Sequence, residues 1–333
     1  MTHRSEDNLP QLRKITDRLT GVAVKYPELS DNKTYRHLVT SQFGSITPEN
    51  AFKPARIHPE ANRFNWEETD RIVTFAETHQ QRVHGHALVW HRELPEWIIR
   101  FKGEASDWQQ LLRHHIQQTV SRYRNLISSW DVVNEAFTNE GELRENIWLR
   151  HIGPDYIRLA FEAAAEADPQ ALLFYNDYDL EYRSLKTGKV LHFLNGLKDD
   201  GVPVHGIGLQ MHLSLLYPDG SVLEETLRAF IEHRYLIRFS ELDVSYAAPG
   251  IVFPDNLASE KKQEEILLSV LSHFKNIPAE LQHGITFWGI GDGDSWLRHE
   301  VYANDKPLLF DENYNPKLVF YSVAAALATV NQI

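Results

Sequence analysis

The amino-acid sequence predicts an α/β protein that folds as a single-domain (β/α)8 TIM barrel. Eight short apolar runs recur along the 333 residues, and stretches with helical periodicity separate them. The runs are apolar almost throughout rather than alternating, which is typical of parallel strands that are covered on both faces. Eight such units take about 250 residues or more, so we expect one domain over residues 1–333 without a linker.

The predicted strands carry polar residues at their C-terminal ends. They span residues 21–24, 43–46, 83–90, 129–134, 171–176, 204–211, 236–240 and 284–288. In a (β/α)8 barrel these ends form the face on which active sites lie. The polar residues that follow each strand are therefore the candidates for a functional site.

Apolar stripes with a spacing of i, i+3, i+4 and i+7 predict the helices between the strands. The clearest stripes fall on residues 108–123, 157–164, 227–231, 266–274 and 319–327. Pro154 and Asp155 follow Gly153 and indicate a helix start, where a proline removes no hydrogen bond. Ser221, with Glu224 three residues later, predicts a capping box at the start of another helix.

Composition and charge narrow the class of protein. The net charge of −12 disfavours nucleic acid as a partner. No run approaches the roughly 18 apolar residues of a membrane-spanning helix. Residues 1–10 are polar and lack the apolar centre of a signal peptide, which predicts a cytoplasmic location. The absence of cysteine excludes disulfides and fits a reducing compartment, and no feature predicts an oligomeric state.

Two of the predicted strands run into a glutamate. One reads Trp130-Asp131-Val132-Val133-Asn134-Glu135 and the other Phe239-Ser240-Glu241-Leu242-Asp243. Burying an unpaired carboxylate is costly, so a cleft or a partner must receive each of them. Hydrolysis of a glycosidic bond uses two such acids, one protonated for the leaving oxygen and one ionised to attack the anomeric carbon. The alternative is that both are helix-start or ion-pair residues.

Other polar residues at strand ends fit the same chemistry. The amide of Asn134 could bind a sugar 2-hydroxyl, or it could satisfy a turn. Gln210 and His212 leave the sixth strand at the level where Glu241 leaves the seventh. His212 could hold that glutamate by a hydrogen bond, with Asp243 behind it to fix its tautomer. A purely structural histidine is the alternative.

The third strand ends in His84-Gly85-His86, which raises the question of a metal. Metal-dependent amidohydrolases carry His-x-His on the first barrel strand and need a lysine after the fourth. Here the motif lies on the third strand, and the fourth ends in Glu135. We therefore predict no metal and no cofactor, and we keep an amidohydrolase only as an alternative.

The second and eighth strands end in residues that suit a sugar. Glu49, Asn50 and Lys53 place donors and acceptors for hydroxyl groups on one turn. Trp288 and Trp296 flank a glycine-rich loop and offer flat faces for the C–H bonds of a pyranose. The alternative is that both tryptophans are core aromatics.

Taken together, these motifs resemble the retaining xylanases of glycoside hydrolase family 10, over residues 49–296 in motif order. The resemblance implies a (β/α)8 catalytic domain without a carbohydrate-binding module, endo-1,4-β-xylanase activity on xylan or xylo-oligosaccharides, Glu135 as acid/base and Glu241 as nucleophile. It assigns substrate binding to Glu49, Asn50, Lys53, His86, Trp90, Asn134, Tyr178, Gln210, His212, Trp288 and Trp296. The polar N-terminus resembles the intracellular members.

The sequence departs from the family pattern at a few positions. Phe52 and Pro54 stand where methionine and tryptophan are usual, His84 replaces an arginine, and Arg92-Glu93 replaces Ser-Gln or Asn-Gln. Two alternatives to a xylanase remain at this point, a sugar-binding barrel without catalysis and another retaining β-glycanase that acts on glucan or mannan. A retaining enzyme requires the two carboxyl groups to lie about 5–5.5 Å apart.

Overall fold

Eight parallel strands close into a barrel in the computed structural model, which describes residues 9–15, 20–218 and 220–328. The strands of the described chain are β1 (Thr20–Val24), β2 (Ser45–Pro48), β3 (Arg82–Gly85), β4 (Ile127–Asn134), β5 (Leu172–Asp177), β6 (Gly206–Leu209), β7 (His212–Ser214), β8 (Leu236–Ser245), β9 (Ala247–Ala248), β10 (Ile251–Val252) and β11 (Gln282–Phe287). Strands β1 to β6, β8 and β11 form the barrel, and β11 closes it by pairing with both β1 and β8. The predicted fold class is confirmed.

Strand β8 is longer than its neighbours and continues past the end of β6. Short strand β7 pairs with this extension, so that His212 lies opposite Asp243. On the adjacent strands β4, β5 and β6, Asn134 pairs in register with Asn176, and Asn176 pairs with Gly208. The register of the barrel therefore brings polar residues from four neighbouring strands to one level.

Helices cover the outside of the barrel. They are α1 (Leu12–Ile15), α2 (Tyr26–Asp31), α3 (Lys33–Gln42), α4 (Pro54–Ile57), α5 (Glu67–Thr78), α6 (Glu96–Ile99), α7 (Ala105–Arg122), α8 (Ile147–Ile152), α9 (Tyr156–Ala167), α10 (Ser184–Asp199), α11 (Ser221–Glu232), α12 (Leu257–Lys275), α13 (Leu297–Glu300) and α14 (Leu318–Ala328), with 3₁₀ turns at Ala279–Leu281 and Asp292–Asp294. Their buried faces carry the apolar stripes predicted from the sequence. None of these helices has the length and apolar character needed to cross a membrane.

Several predicted boundaries are wrong for local reasons. The third run is a strand only as far as Gly85, after which the chain keeps single hydrogen bonds to β4 rather than a continuous ladder. The sixth run ends at Leu209, because Met211 adopts a φ of 62° and the chain turns into β7. The capping box at Ser221 does not form, since Gly220 occupies the N-cap position of α11.

The helix predicted to open at Pro154 also begins later. Helix α9 starts at Tyr156, with Asp155 as its N-cap residue. Pro154 therefore precedes the helix instead of occupying its first turn. The stripe that this helix was predicted to bury, including Ile157 and Phe161, is fully buried.

Close packing of Trp130 fixes the ends of the strands around the predicted site. A Cβ atom at Gly85 would lie 2.0 Å from the Trp130 ring, so only glycine fits beside it. The ring of Phe52 meets Trp130 edge-on at a centroid distance of 5.1 Å and also contacts Tyr123. Phe52, one of the departures from the family pattern, is therefore a core residue whose burial contributes about 2 kcal/mol or more.

A buried pair of histidines joins the end of helix α4 to helix α7. The Nδ1 atoms of His58 and His115 are 3.2 Å apart, so one ring donates a hydrogen bond and the other must be neutral to accept it. The His58 ring stacks on Phe64, and Trp97 donates to the His58 carbonyl. Burial lowers the pKa of His58 to about 4 and that of His115 to about 3. Both rings are therefore neutral at physiological pH.

We expect this pair to make the protein less stable in acid. As the pH falls from 6.5 towards 4, the unfolded chain binds protons on both histidines while the folded chain does not. The loss is at most about 1.4 kcal/mol per pH unit for each histidine within that window. Denaturant unfolding from pH 7 down to about 5 measures it.

His115→Asn provides the comparison, because asparagine keeps a hydrogen-bonding atom near Nδ1 without a titrating group. Its free energy of unfolding should fall less steeply with pH than that of the parent protein. Equal slopes for the two proteins would contradict a neutral histidine pair.

Candidate active site

The predicted site residues line one cleft at the C-terminal ends of the barrel strands. The cleft has a volume of about 560 Å³. Its walls include every predicted catalytic or binding residue, namely Glu49, Asn50, Lys53, His86, Trp90, Asn134, Glu135, Tyr178, Gln210, His212, Glu241, Trp288 and Trp296. Asp243 lies behind His212. The cleft is also lined by Arg92, Glu93, Asp179 and Glu300, which the sequence did not assign to binding.

Glu135 lies at the point where the chain leaves β4. Its φ of 56° is left-handed, which turns the side chain out of the strand and into the cleft. Its Oε2 accepts a hydrogen bond from Trp90 Nε1 at 2.9 Å. Its Oε1 accepts from Gln210 Nε2 at 3.0 Å and from Asn134 Nδ2 at 3.2 Å. The carboxyl group is thus held by residues from three different strand ends.

Glu241 lies within β8 and is 4% exposed. Its Oε1 accepts from Asn176 Nδ2 at 2.7 Å, and its Oε2 accepts from His212 Nε2 at 3.1 Å. Burial by itself raises the pKa of Glu241, but the hydrogen bonds from His212 and Asn176 and the charges of His86 and His212 outweigh it and lower the pKa. The carboxyl group is therefore ionised, as a nucleophile must be.

His212 lies between two carboxylates. Its Nε2 faces Glu241, and its Nδ1 lies 3.0 Å from Oδ1 of Asp243. Burial opposes the charged form, but the two acids raise the pKa of His212 well above its usual value. Asp243 also accepts a hydrogen bond from Trp296 Nε1 at 3.1 Å. Asp243 thus stabilises an imidazolium, rather than selecting a neutral tautomer as the sequence analysis expected.

Asn176 connects the two glutamates and was missed by the sequence analysis. Its Nδ2 donates to Glu241 and also to Asn134 Oδ1 at 2.8 Å, and its Oδ1 accepts from Ser240 at 2.6 Å. Since Asn134 in turn donates to Glu135, a continuous chain of hydrogen bonds joins the two carboxyl groups. The signal that could have revealed Asn176 was its position at the end of the fifth predicted strand.

Glu49, Asn50 and Lys53 form a polar cluster on one wall of the cleft. Lys53 Nζ donates to Asn50 Oδ1 at 2.7 Å, and Asn50 Nδ2 donates to Glu49 Oε1 at 3.3 Å. Burial raises the pKa of Glu49 and lowers that of Lys53. Lys53 Nζ also lies 4.8 Å from the centroid of the Trp90 ring. The hydrogen bonds among these three residues can be exchanged for bonds to the hydroxyl groups of a sugar.

The His-x-His motif is held by one carboxylate. His86 Nδ1 is 2.9 Å from Oδ2 of Asp131, and His84 Nε2 is 3.0 Å from Oδ1 of the same residue. Burial, aided by the charge of Arg238, lowers the pKa of His84 to about 4. His86 reaches the cleft, whereas His84 does not line it. Within the described residues, no group of three or more histidine, aspartate and glutamate side chains could hold a metal ion.

Trp288 and Trp296 also line the cleft. Trp288 is only 6% exposed, and its ring meets the edge of His86 at a centroid distance of 5.2 Å. The Trp296 ring lies 5.0 Å from the His212 ring. Both tryptophans therefore pack against the histidines that surround Glu241 while keeping one surface in the cleft.

Comparison with known proteins yields consistent matches. The sequence profile described as Glycosyl hydrolase family 10 matches residues 9–326. The chain is 37% identical over 295 residues to endo-1,4-beta-xylanase B of Thermotoga neapolitana, covering 89% of this chain and 84% of that protein. It is 35% identical over 331 residues to beta-1,4-xylanase of Dictyoglomus thermophilum, covering 95% and 90%. Xylanase 10B of Thermotoga petrophila RKU-1, solved in complex with xylobiose, superposes with a TM-score of 0.89 at 35% identity, covering 96% and 97%.

Gly208 creates the space that Asn176 occupies, and this gives a test of the network. A Cβ atom at Gly208 would lie 2.1 Å from Asn176 Oδ1. We expect Gly208→Ala to displace the amide from both Glu241 and Asn134, and to lower kcat/KM for glycoside hydrolysis by about 10²-fold. Removing the Asn176 hydrogen bond also raises the pKa of Glu241, so the acid limb of the pH–rate profile should move to higher pH.

Gly196→Ala is the matched control, because a Cβ atom there would meet nothing within 4 Å. This variant should keep the parent rate and pH profile. A Gly208→Ala protein with parent activity would show that hydrolysis does not depend on the present position of the Asn176 amide.

Proposed function

The chain belongs to glycosyl hydrolase family 10, and from this membership we propose that it is an endo-1,4-β-xylanase that cleaves xylan or xylo-oligosaccharides with retention of configuration. The observation that carries the proposal is the pair of glutamates, Glu135 and Glu241, in one cleft at the C-terminal end of the barrel. Xylobiose in the relative from Thermotoga petrophila supports a xylo-oligosaccharide as substrate.

In the first step, Glu241 attacks the anomeric carbon of the xylose on the glycone side of the bond. Its ionised state, maintained by His212 and Asn176, supplies the nucleophile. Glu135 gives a proton to the leaving oxygen, and a covalent xylosyl ester forms on Glu241. The positive His212 stays beside the carboxylate, which limits its basicity and helps it to leave again in the second step.

In the second step, water attacks the ester and Glu135 accepts its proton. The same residue then acts as a base, which restores both carboxyl groups to their starting states. Asn134, which is held by Asn176, is positioned to donate to the 2-hydroxyl of the reacting xylose. A hydrogen bond at this hydroxyl strengthens as positive charge develops on the ring.

The remaining cleft residues bind the sugar chain. Glu49, Asn50 and Lys53 replace their mutual hydrogen bonds with bonds to xylose hydroxyls. Trp288 and Trp296 present flat surfaces to the pyranose rings. Tyr178 and Gln210 also line the cleft, and we assign them to the leaving-group side of the cleaved bond because Gln210 donates to Glu135.

Proton NMR of the first product formed from xylotetraose tests the proposed function directly. We expect the β anomer to appear first and to convert slowly to the α anomer in solution, since two displacements preserve configuration. Initial α product would contradict a retaining mechanism. Absence of any product would favour a non-catalytic sugar-binding barrel, and faster hydrolysis of glucan or mannan than of xylan would identify a different β-glycanase.

Glu241→Ala should reduce hydrolysis of xylotetraose to about 10⁻⁴ of the parent rate or less, because the nucleophile is lost. Binding of the oligosaccharide, measured by calorimetry, should persist. Glu225→Ala, at an exposed glutamate on α11 outside the cleft, serves as the control and should keep the parent rate. Parent-like turnover in Glu241→Ala would refute the assignment of the nucleophile.

Glu135→Ala should lower kcat/KM for xylotetraose by about 10²- to 10⁴-fold, because the leaving sugar is no longer protonated. With a dinitrophenyl β-xylobioside, kcat/KM should stay close to that of the parent, since the leaving group needs no proton. A stopped-flow assay of dinitrophenolate release should then show a burst, because the second step still requires a base. Equal losses on both substrates would count against Glu135 as the acid.

A further inference from the structure

The side chain of Arg144 joins the main chain of Glu135 to the cleft. Its Nε donates to the carbonyl oxygen of Glu135 at 3.0 Å. Its Nη2 donates to the carbonyl oxygen of Phe137 at 3.0 Å and to the hydroxyl group of Tyr178 at 2.5 Å. One planar guanidinium thus bonds two peptide groups of the loop after β4 and a tyrosine that lines the cleft.

The loop brings Arg144 back to this position. Phe137 pairs with Leu143 in a short antiparallel bridge, and Thr138 N–H donates to the Glu142 carbonyl at 2.8 Å. The Arg144 N–H then donates to the Ala136 carbonyl at 2.7 Å. Residues 137–143 are therefore a closed turn whose last strand returns the arginine to the residue where the turn began.

Glu135 needs such support because its backbone is in a costly conformation. A φ of 56° in a residue other than glycine costs about 1 kcal/mol or more, and surrounding contacts must maintain it. Its N–H donates to the Asn176 carbonyl at 2.9 Å, which fixes the peptide group before it. Arg144 fixes the peptide group after it. Without that bond, the carboxyl group could rotate away from Trp90 and Gln210.

Tyr178, to which Arg144 also donates, is itself held in place. The Nζ of Lys186 lies 3.9 Å from the centroid of its ring and donates to its carbonyl oxygen at 2.8 Å. Lys186 also donates to Asp177 at 2.8 Å, and both of these residues are fully buried. Arg144 therefore ties Glu135 to an anchored aromatic ring rather than to a mobile surface residue.

We propose that Arg144 is a positioning residue for the proton donor: it sets where the carboxyl group of Glu135 stands relative to the ring of Tyr178 and thus to the leaving sugar. This inference rests on the proposed function, in which Glu135 is the acid/base. Among the described residues, the Arg144 side chain donates to Glu135, Phe137 and Tyr178, and none of these bonds goes to Asn176 or His212, which hold the Glu241 carboxylate. Its loss should therefore impair proton transfer and leave nucleophilic attack intact.

Arg144→Gln tests the proposal through its dependence on the leaving group. For xylotetraose, which needs a proton, kcat/KM should fall by about 10²-fold. For dinitrophenyl β-xylobioside, which needs none, kcat/KM should change by less than about threefold. Trapping of Glu241 by a dinitrophenyl 2-fluoro-xylobioside, followed by mass spectrometry, counts the folded, nucleophile-competent molecules in both proteins. Equal losses on the two substrates, after this correction, would overturn the proposal.

Further variants separate positioning from general stability. Arg150→Gln, at an exposed arginine on α8, should match the parent on both substrates. Tyr178→Phe removes one of the three acceptors and should show a smaller loss with the same leaving-group dependence. If Arg144→Gln does not fold, Arg144→Lys is measured in the same way, since lysine keeps the charge but cannot bond all three acceptors in one plane. A lysine variant with parent rates on both substrates would then refute the role.

The outcomes also separate this inference from the proposed function. If the parent protein hydrolyses neither substrate, the proposed function fails before Arg144 is tested. If the parent hydrolyses both and Glu135→Ala shows the expected leaving-group dependence while Arg144→Gln does not, only the role of Arg144 is wrong.

Discussion

The arrangement of the cleft depends on a single buried amide, that of Asn176. It donates to both Glu241 and Asn134, and it can do so because the neighbouring strand carries a glycine at position 208. Asn134, Asn176 and Gly208 are register partners on three adjacent strands. A shift of one residue in any of these strand pairs would turn the side chains to the other face and separate the two glutamates. Closure of the barrel and assembly of the site are therefore the same event.

The two glutamates differ in how the protein holds them. Glu241 lies inside a strand, bonded by an amide and a histidine cation, and its negative charge is stabilised on both oxygens. Glu135 lies just beyond a strand, in a left-handed turn, and receives hydrogen bonds from neutral N–H groups of Trp90, Gln210 and Asn134. The first environment favours a permanent anion. The second offers only neutral donors to the carboxyl oxygens, and the Arg144 cation bonds the main-chain carbonyl of Glu135 instead.

The sequence predicted the fold and many of the cleft residues because both follow from local patterns, whereas His86, Trp90 and Tyr178 were assigned to binding by the family resemblance. Parallel strands appear as apolar runs, and polar residues at their ends must face the functional side of a barrel. It did not reveal Asn176 or Arg144, whose roles depend on contacts between distant segments. The bonds of Arg144 exist only once the turn of residues 137–143 has formed. The cap of α11 was misplaced by one residue for a local reason, because Gly220, in a left-handed conformation, occupies the N-cap position before Ser221.

The close approach of Gly208 to Asn176 also constrains how this protein can evolve. Neither residue can be exchanged for a larger one while the other stays, so a substitution at either position is tolerated only after a compensating change at its neighbour. Descendants that alter this pair must pass through an intermediate with impaired turnover. The two positions should therefore be inherited together as one coupled unit, even though they lie 32 positions apart in the chain, on either side of a whole helix.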